Sequence, residues 1–200
     1  MRKNPPEFYG VDYLKSPLAG GPGLTRWEDN GVYFEMARFI HALAPGASVL
    51  EVGCGRGFVV RHLRNMGHIA DGCEYGTEAV AQSVCGAQWA DLTAKLPYEY
   101  GSYDLVLCVG VLSHPPALYA QHCLDELARV SRRLLVTNIQ VEPHELQRHH
   151  LNIKPAEWWR PRFAKAGWRE RTDAEVEALI ERWKYRREPL AWFAVWEQAS

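Results

Sequence analysis

The stretch Ser48–Gly76, SVLEVGCGRGFVVRHLRNMGHIADGCEYG, decides how the rest of the chain reads. An apolar run, Val49 to Val52, opens onto glycines at three alternate positions, Gly53, Gly55 and Gly57. A helical pattern over Gly57 to Met66 follows and is stopped by Gly67; a second strand, 68–74, then ends on Glu74. A glycine-rich turn between strand and helix brings backbone close to a ligand, and the helix start presents unpaired N–H groups to an anion. A dinucleotide fingerprint needs glycine at position 58, where this chain has Phe58, and no G-K-[ST] phosphate loop follows.

Outward from that stretch, helical and extended patterns alternate. Apolar residues recur at helical spacing from Trp27 to Leu43 and stop at Pro45-Gly46. Beyond Gly76, TEAVAQSV (77–84) predicts a helix with Thr77 as its N-cap, and AQWADL (87–92) a short strand. YDLVLCVGVL (103–112) predicts a fully buried strand and residues 116–130 a helix. RRLLVTNIQV (132–141) predicts a strand, residues 155–167 a helix kinked at Pro161, residues 173–188 a helix, and 190–197 a terminal strand. The alternation implies an α/β fold, a doubly wound and mostly parallel sheet with the terminal strand antiparallel. Right-handed crossovers then gather the strand C-terminal ends, and any ligand, along one edge. We expect one domain over 1–200, with a Pro-, Gly- and Tyr-rich arm or lid at 1–25 and the core at 26–200.

Composition narrows the function classes. Lys and Arg number 23 against 24 Asp and Glu, so no overall basic footprint for nucleic acid exists. The five cysteines are odd in number and form no C-x-x-C pair, which reads as buried apolar thiols in a reducing compartment. With no secretory core at the N-terminus and no run of membrane-spanning length, we expect a cytoplasmic protein without membrane partners. Oligomeric state is left open, a homo-oligomer included.

The spacing Glu51-Val52-Gly53-Cys54-Gly55-Arg56-Gly57 resembles the S-adenosylmethionine site of class I methyltransferases, and the likeness runs from about Val49 to Trp168. The resemblance implies a Rossmann-like methyltransferase fold and S-adenosylmethionine as cofactor. By it, Glu74 binds the two ribose hydroxyls, Asp91 takes the adenine amino group, and the Leu92 N–H lies near the ring. Carbonyls at Gly53 and around Val109 and Gly110 would meet the methionine amine, and Tyr75 would cover one adenine face. A carboxylate suits a vicinal diol because both hydroxyls can donate to it. Arg56 is expected at the surface.

The acceptor side is read from three histidines. His114, in GVLSHPP, lies just past the fourth strand, where relatives often carry acids; here Gly110 and Ser113 stand instead. His149 and His150 precede LNIKPAEWW, a segment similar to one in bacterial sugar and surface-polysaccharide methyltransferases, in which His and Asn near this position face the acceptor; Asn152 is the matching amide. Any of the three is a candidate base for a hydroxyl acceptor, each against the alternative of a merely structural role. Tyr9 and Tyr13 of the arm, and Trp158, are candidate acceptor contacts. No metal site is expected, because Arg148 interrupts the one H-E-x-x-H-like tract, at His144 and Glu145. Arg160, Arg162, Arg182, Lys184, Arg186 and Arg187 read chiefly as a solvated face.

The preferred expectation is methyl transfer to a small molecule, with a sugar hydroxyl as the leading acceptor. The alternatives are N-methylation of a small metabolite or a base, a noncatalytic S-adenosylmethionine-binding subunit, and a nicotinamide oxidoreductase. The D/N-P-P-[YF] motif that holds a flipped base is absent, so no nucleic-acid partner is expected.

Overall fold

The computed structural model describes residues 3–15, 28–143, 149–182 and 191–199. One seven-stranded sheet runs through it, with the strand order β3-β2-β1-β4-β5-β7-β6. The strands are β1 (Val49–Val52), β2 (Ala70–Glu74), β3 (Gln88–Trp89), β4 (Tyr103–Val109), β5 (Ser131–Gln140), β6 (Trp168–Glu170) and β7 (Ala191–Gln198). The first five pair in parallel, and β7 runs antiparallel to both β5 and β6. The helices are α1 (Val11–Lys15), α2 (Gly31–Leu43), α3 (Phe58–Asn65), α4 (Thr77–Ala81), α5 (Ala120–Val130), α6 (Ala156–Lys165) and α7 (Ala174–Arg182). A single turn of 3-10 helix, Pro6–Tyr9, precedes α1.

The central strands are apolar at nearly every position because helices cover both faces. Successive side chains alternate across a strand. Leu105 and Leu107 of β4 therefore pack with Phe39, Ile40, Val60 and Leu63 of α2 and α3, whereas Val106 and Cys108 pack with Leu124, Leu127, Trp159 and Phe163 of α5 and α6. Phe163 stacks on Trp196 of β7 with ring centroids 3.8 Å apart, which ties α6 to the antiparallel end of the sheet. Burying a side chain of that size stabilises by about 2–3 kcal/mol.

Local chemistry sets the element ends. Asn30 caps α2, its side-chain oxygen accepting from Val32 N at 3.0 Å, so the helix begins at Gly31 rather than Trp27, which lies outside the described residues. Gly76, not Thr77, is the N-cap of α4, and the helix stops at Ala81, well short of Val84. The strand expected over 87–92 is only Gln88–Trp89, because Asp91 and Thr93 turn the chain at once. A 3-10 turn, Ala117–Tyr119, opens the helix expected at 116. α6 continues through Pro161 to Lys165. Strand β6 has no counterpart in the sequence pattern; its three residues, Trp-Arg-Glu, carry too little periodicity, and pairing with β7 alone makes them a strand. The predicted helix over 173–188 is seen to Arg182; its remainder, and Leu190 of the terminal strand, lie outside the described residues.

Candidate cofactor and acceptor site

Strand order reverses between β1 and β4, so the loops after these two strands diverge and leave a crevice at the carboxyl edge. Both loops are fixed by glycines. Gly53 has φ +76°, and a Cβ there would lie 2.2 Å from Val111 Cγ2 of the loop after β4. Gly57 has φ +81°, and its Cβ would lie 2.2 Å from Cys85 Sγ. No other residue type fits either place. Around Gly55, by contrast, nothing lies within 4 Å of where a Cβ would stand, and the residue lines the cavity.

Glu74 closes the other wall. Its Oε2 accepts from Gly55 N at 2.8 Å, and its Oε1 accepts from Tyr75 N at 2.7 Å and Gly76 N at 2.8 Å. Three backbone amides thus orient one carboxylate that still lines the cavity, and a carboxylate has about four acceptor positions, which leaves capacity for a diol. Two arginine clamps hold this wall in place. Arg64 of α3 donates to Ala70 O and Cys85 O, tying the helix to β2 and to the chain after α4. Arg129 donates to Leu96 O and Tyr98 O while paired with Glu126, which also accepts from Leu96 N at 2.8 Å; the linker from β3 to β4 is pinned to α5. Burial works against the Glu126 charge, but the Arg129 and Leu96 bonds outweigh it and hold the carboxyl below its usual range.

Asp91 accepts from Thr93 N at 2.9 Å and Thr93 Oγ1 at 2.7 Å, and is ion-paired with Lys3 of the N-terminal segment. Burial raises its pKa and the Lys3 and Thr93 bonds lower it; the bonds prevail, so the carboxylate is held below its ordinary value. Lys3 Nζ also lies 5.2 Å from the Tyr75 ring centroid, on the aromatic ring expected to meet adenine. Tyr75 Oη donates to Asn4 O at 3.2 Å, and Trp89 Nε1 donates to Tyr75 O at 2.9 Å.

The resulting cavity has a volume of about 840 Å³ including its mouth. Of the residues singled out from sequence, Gly53, Gly55, Glu74, Tyr75, Asp91, Leu92, Gly110, Tyr9, Tyr13 and His114 line it. Glu51, Cys54, Gly57, Val109, His149, His150, Asn152 and Trp158 do not. Glu51 is buried in β1, and the Cys54 side chain is buried against the glycine loop. Val109 ends β4, opposite Asn138. Asn152 is buried: its N–H donates to Ser113 O at 2.9 Å and its Nδ2 lies 3.5 Å from Leu112 O, so it fastens one loop to another. Trp158 lies beneath the Arg162 guanidinium, 3.5 Å from its ring centroid, while Trp159 takes the core position. Arg160 pairs with Glu170. His144, Glu145, Arg148, Lys184, Arg186 and Arg187 lie outside the described residues. Arg56 stays at the surface, donating to Gln82 O at 3.0 Å.

The described part of the arm, residues 3–15, roofs the cavity. Tyr9 Oη lies 3.2 Å from His114 Nδ1, and the Tyr9 ring meets Tyr13, Tyr75 and His114 edge-on. A Cβ on Gly76 would come within 2.9 Å of Tyr9 Cβ, so the arm rests directly on the turn that follows Glu74. Asn4 Nδ2 donates to His149 O at 3.1 Å, and His149 packs edge-on to Tyr13. Lys3, Asn4, Thr93 and Val111 also line the cavity, and no sequence signal marks them, since an arm without periodicity does not reveal where it lands. The five cysteines are buried free thiols.

Residues 50–134 match a family described as "Methyltransferase domain". The chain is 29% identical over 86 residues to the ubiquinone biosynthesis O-methyltransferase of Burkholderia thailandensis, covering 38% of this chain and 37% of that protein. It is also 29% identical over 123 residues to cycloartenol-C-24-methyltransferase of Arabidopsis thaliana, covering 52% of this chain and 36% of that one. It thus spans a little over a third of the length of these curated relatives, 37% and 36%. A solved TehB-like methyltransferase from Corynebacterium glutamicum shares the fold, with a TM-score of 0.66 at 19% identity over 96% of this chain and 97% of that one. Residues 50–134 thus match a methyltransferase domain, and the chain shares the fold of S-adenosylmethionine-dependent methyltransferases. The site suits S-adenosylmethionine: an amide-oriented carboxylate for a diol, a second carboxylate for an amino group, and an open glycine bonded to the first. Among the described residues, no helix is long and apolar enough to cross a membrane.

Proposed function

We propose that the chain transfers the methyl group of S-adenosylmethionine to an oxygen of a small-molecule acceptor, a sugar hydroxyl or a related metabolite. The observation that carries this reading is the two-ended cavity: Glu74 and Asp91 lie in its lining with His114 and Tyr9 of the roof. The cofactor supplies an electrophilic methyl on a sulfonium. Glu74 grips the pentose, Asp91 and Tyr75 place the base, and the backbone of Gly53 and Gly55 lies along the methionine part. The arm, folded over the cavity through Tyr9 and Tyr13, excludes water and leaves room for an acceptor of small size. A hydroxyl must lose its proton as it attacks, and the imidazoles beside the roof are the groups suited to that near neutral pH. Oxygen is favoured over nitrogen or carbon because O-methylation is the named chemistry of the Burkholderia relative, whereas the Arabidopsis relative is named for C-methylation. The roles of Tyr9, Tyr13, His114 and the arm as a lid belong to the same proposal, as does a single domain acting without nucleic acid.

The test is a transfer assay with methyl-labelled cofactor against panels of sugars, nucleotide sugars, phenols and amines. Label in a hydroxyl-bearing metabolite, abolished by Glu74→Ala, is the expected result. Label in amines or bases alone overturns the oxygen reading. Full cofactor binding with no transfer to any panel, and transfer appearing only on adding a partner protein, favours the noncatalytic subunit.

A further inference from the structure

Three imidazoles converge where the loop after β4 faces the segment that leads into α6. His114, His149 and His150 each offer a ring nitrogen, and the three atoms lie within 4.8 Å of one another. Ring centroids are 4.5 Å apart for His114 and His150, 4.5 Å for His149 and His150, and 5.2 Å for His114 and His149. Among the described residues this is the one such grouping of three or more histidine, cysteine or acidic side chains. Nitrogens bound at about 2.0–2.1 Å around a tetrahedral centre stand about 3.3 Å apart, so a modest inward turn of the rings completes the set.

The backbone is built to hold the rings there. Leu151 N and Asn152 N both donate to Ser113 O at 2.9 Å, so the segment carrying His149 and His150 is fastened to the residue before His114. His149 O accepts from Asn4 of the arm. Tyr9 Oη, 3.2 Å from His114 Nδ1, stands where an outer partner fixes the tautomer of a ring that ligates through Nε2.

We propose that His114, His149 and His150 form a binding site for a divalent transition metal of the zinc class, with a fourth position open to an oxygen of the acceptor. Three neutral imidazoles and one exchangeable position are the donor set of a catalytic zinc site rather than a closed structural one. The sequence conceals the site because its ligands come from two loops and match no spacing motif. The acceptor's part in it rests on the methyl-transfer reading; metal binding does not. A coordinated hydroxyl gives up its proton to solvent more readily. Its oxygen then forms the bond to the methyl carbon as the carbon–sulfur bond breaks, and the sulfonium becomes a neutral thioether. In this scheme the three histidines are ligands rather than separate bases.

The full chain, free of any affinity tag and stripped with chelator, should be titrated with Co²⁺ and then Zn²⁺. We expect one equivalent of Co²⁺ with visible d–d bands of a four-coordinate nitrogen–oxygen site, displaced by Zn²⁺. His149→Gln and His150→Gln should each weaken binding at least tenfold while S-adenosylhomocysteine binding persists. Unchanged metal affinity in both variants, or a thiolate charge-transfer band assigning the metal to cysteine, overturns the proposal. Histidine labelling by diethyl pyrocarbonate on the wild type tests the site without relying on the folding of any variant. Zn²⁺ should protect these three rings, and equal labelling with and without it also overturns the proposal. Metal bound as described but no methyl transfer would remove the acceptor's part and leave the site.

Discussion

The two ends of the cavity are made in different ways. At the Glu74 end, Gly55, Tyr75 and Gly76 converge their N–H groups on the carboxylate from the ends of β1 and β2, neighbouring strands in register. Arg64 and Arg129 clamp that end to helices and sheet. At the His114 end, Tyr9 reaches His114 across 105 residues and Asn4 reaches His149 across 145, and none of the four stands on a strand. The first end is built from neighbouring strand ends; the second is assembled from residues of the arm and two loops. Methyl transfer needs both, a fixed donor and an enclosure that can admit an acceptor.

Damage at the two ends should therefore separate. The largest effect is expected at Gly57→Val, where a side chain meets Cys85 Sγ and the backbone has positive φ. Thermal unfolding should show a loss of several kcal/mol, on the order of 3 or more, and cofactor binding should vanish with it. Substituting His114 by Ala should leave cofactor affinity unchanged in calorimetry while lowering turnover about 100-fold or more. A comparable loss of cofactor affinity would erase the division between the ends. Gly76→Val should push the arm away from the turn after Glu74, raising KM for the acceptor roughly tenfold and increasing protease cleavage within the arm.

The smallest effect is expected at Lys3→Ala. In the proposed function the ammonium would compete with the adenine amino group for the Asp91 carboxylate, so cofactor affinity should rise about two- to fivefold, in keeping with a partly exposed pair. The pair also gives a pH signature. The Asp91 pKa is depressed on folding, so its stabilising contribution is present above the unfolded value of about 3.9 and is lost as pH falls through the lower folded one. The stability difference between wild type and Lys3→Ala should therefore disappear in acid melts and be full at neutral pH.

The same contrast explains what the sequence reveals. The strand–glycine–helix–strand–acid run is contiguous, its periods are strong, and the glycines at 53 and 57 are forced by contacts of the crossover units themselves. That makes the sheet, its winding, the antiparallel last strand and the Glu74–Asp91 pair legible. The cap and length of α4 are not, because a two-residue strand and a quick return leave no room for the longer helix that the pattern after Thr77 suggests. Strand β6 depends on β7 for its existence, and tertiary pairing of this kind is silent in three residues. Asn152 and Trp158 read as acceptor contacts in the sequence, yet one is a loop fastener and the other lies under Arg162. Neither role has a sequence period. The meeting of Lys3 with Asp91 and of three histidines is illegible for the same reason, since it depends on where an aperiodic arm and a loop come to rest.

Titration calorimetry with S-adenosylhomocysteine on the wild type and on Glu74→Ala tests the central claim most directly. Saturable heat at one site per chain, weakened roughly 100-fold by removal of the carboxylate, is the predicted result, since two charge-assisted bonds of about 1.5 kcal/mol each are lost. Equal heats from the two proteins, or none from the folded wild type, would contradict it.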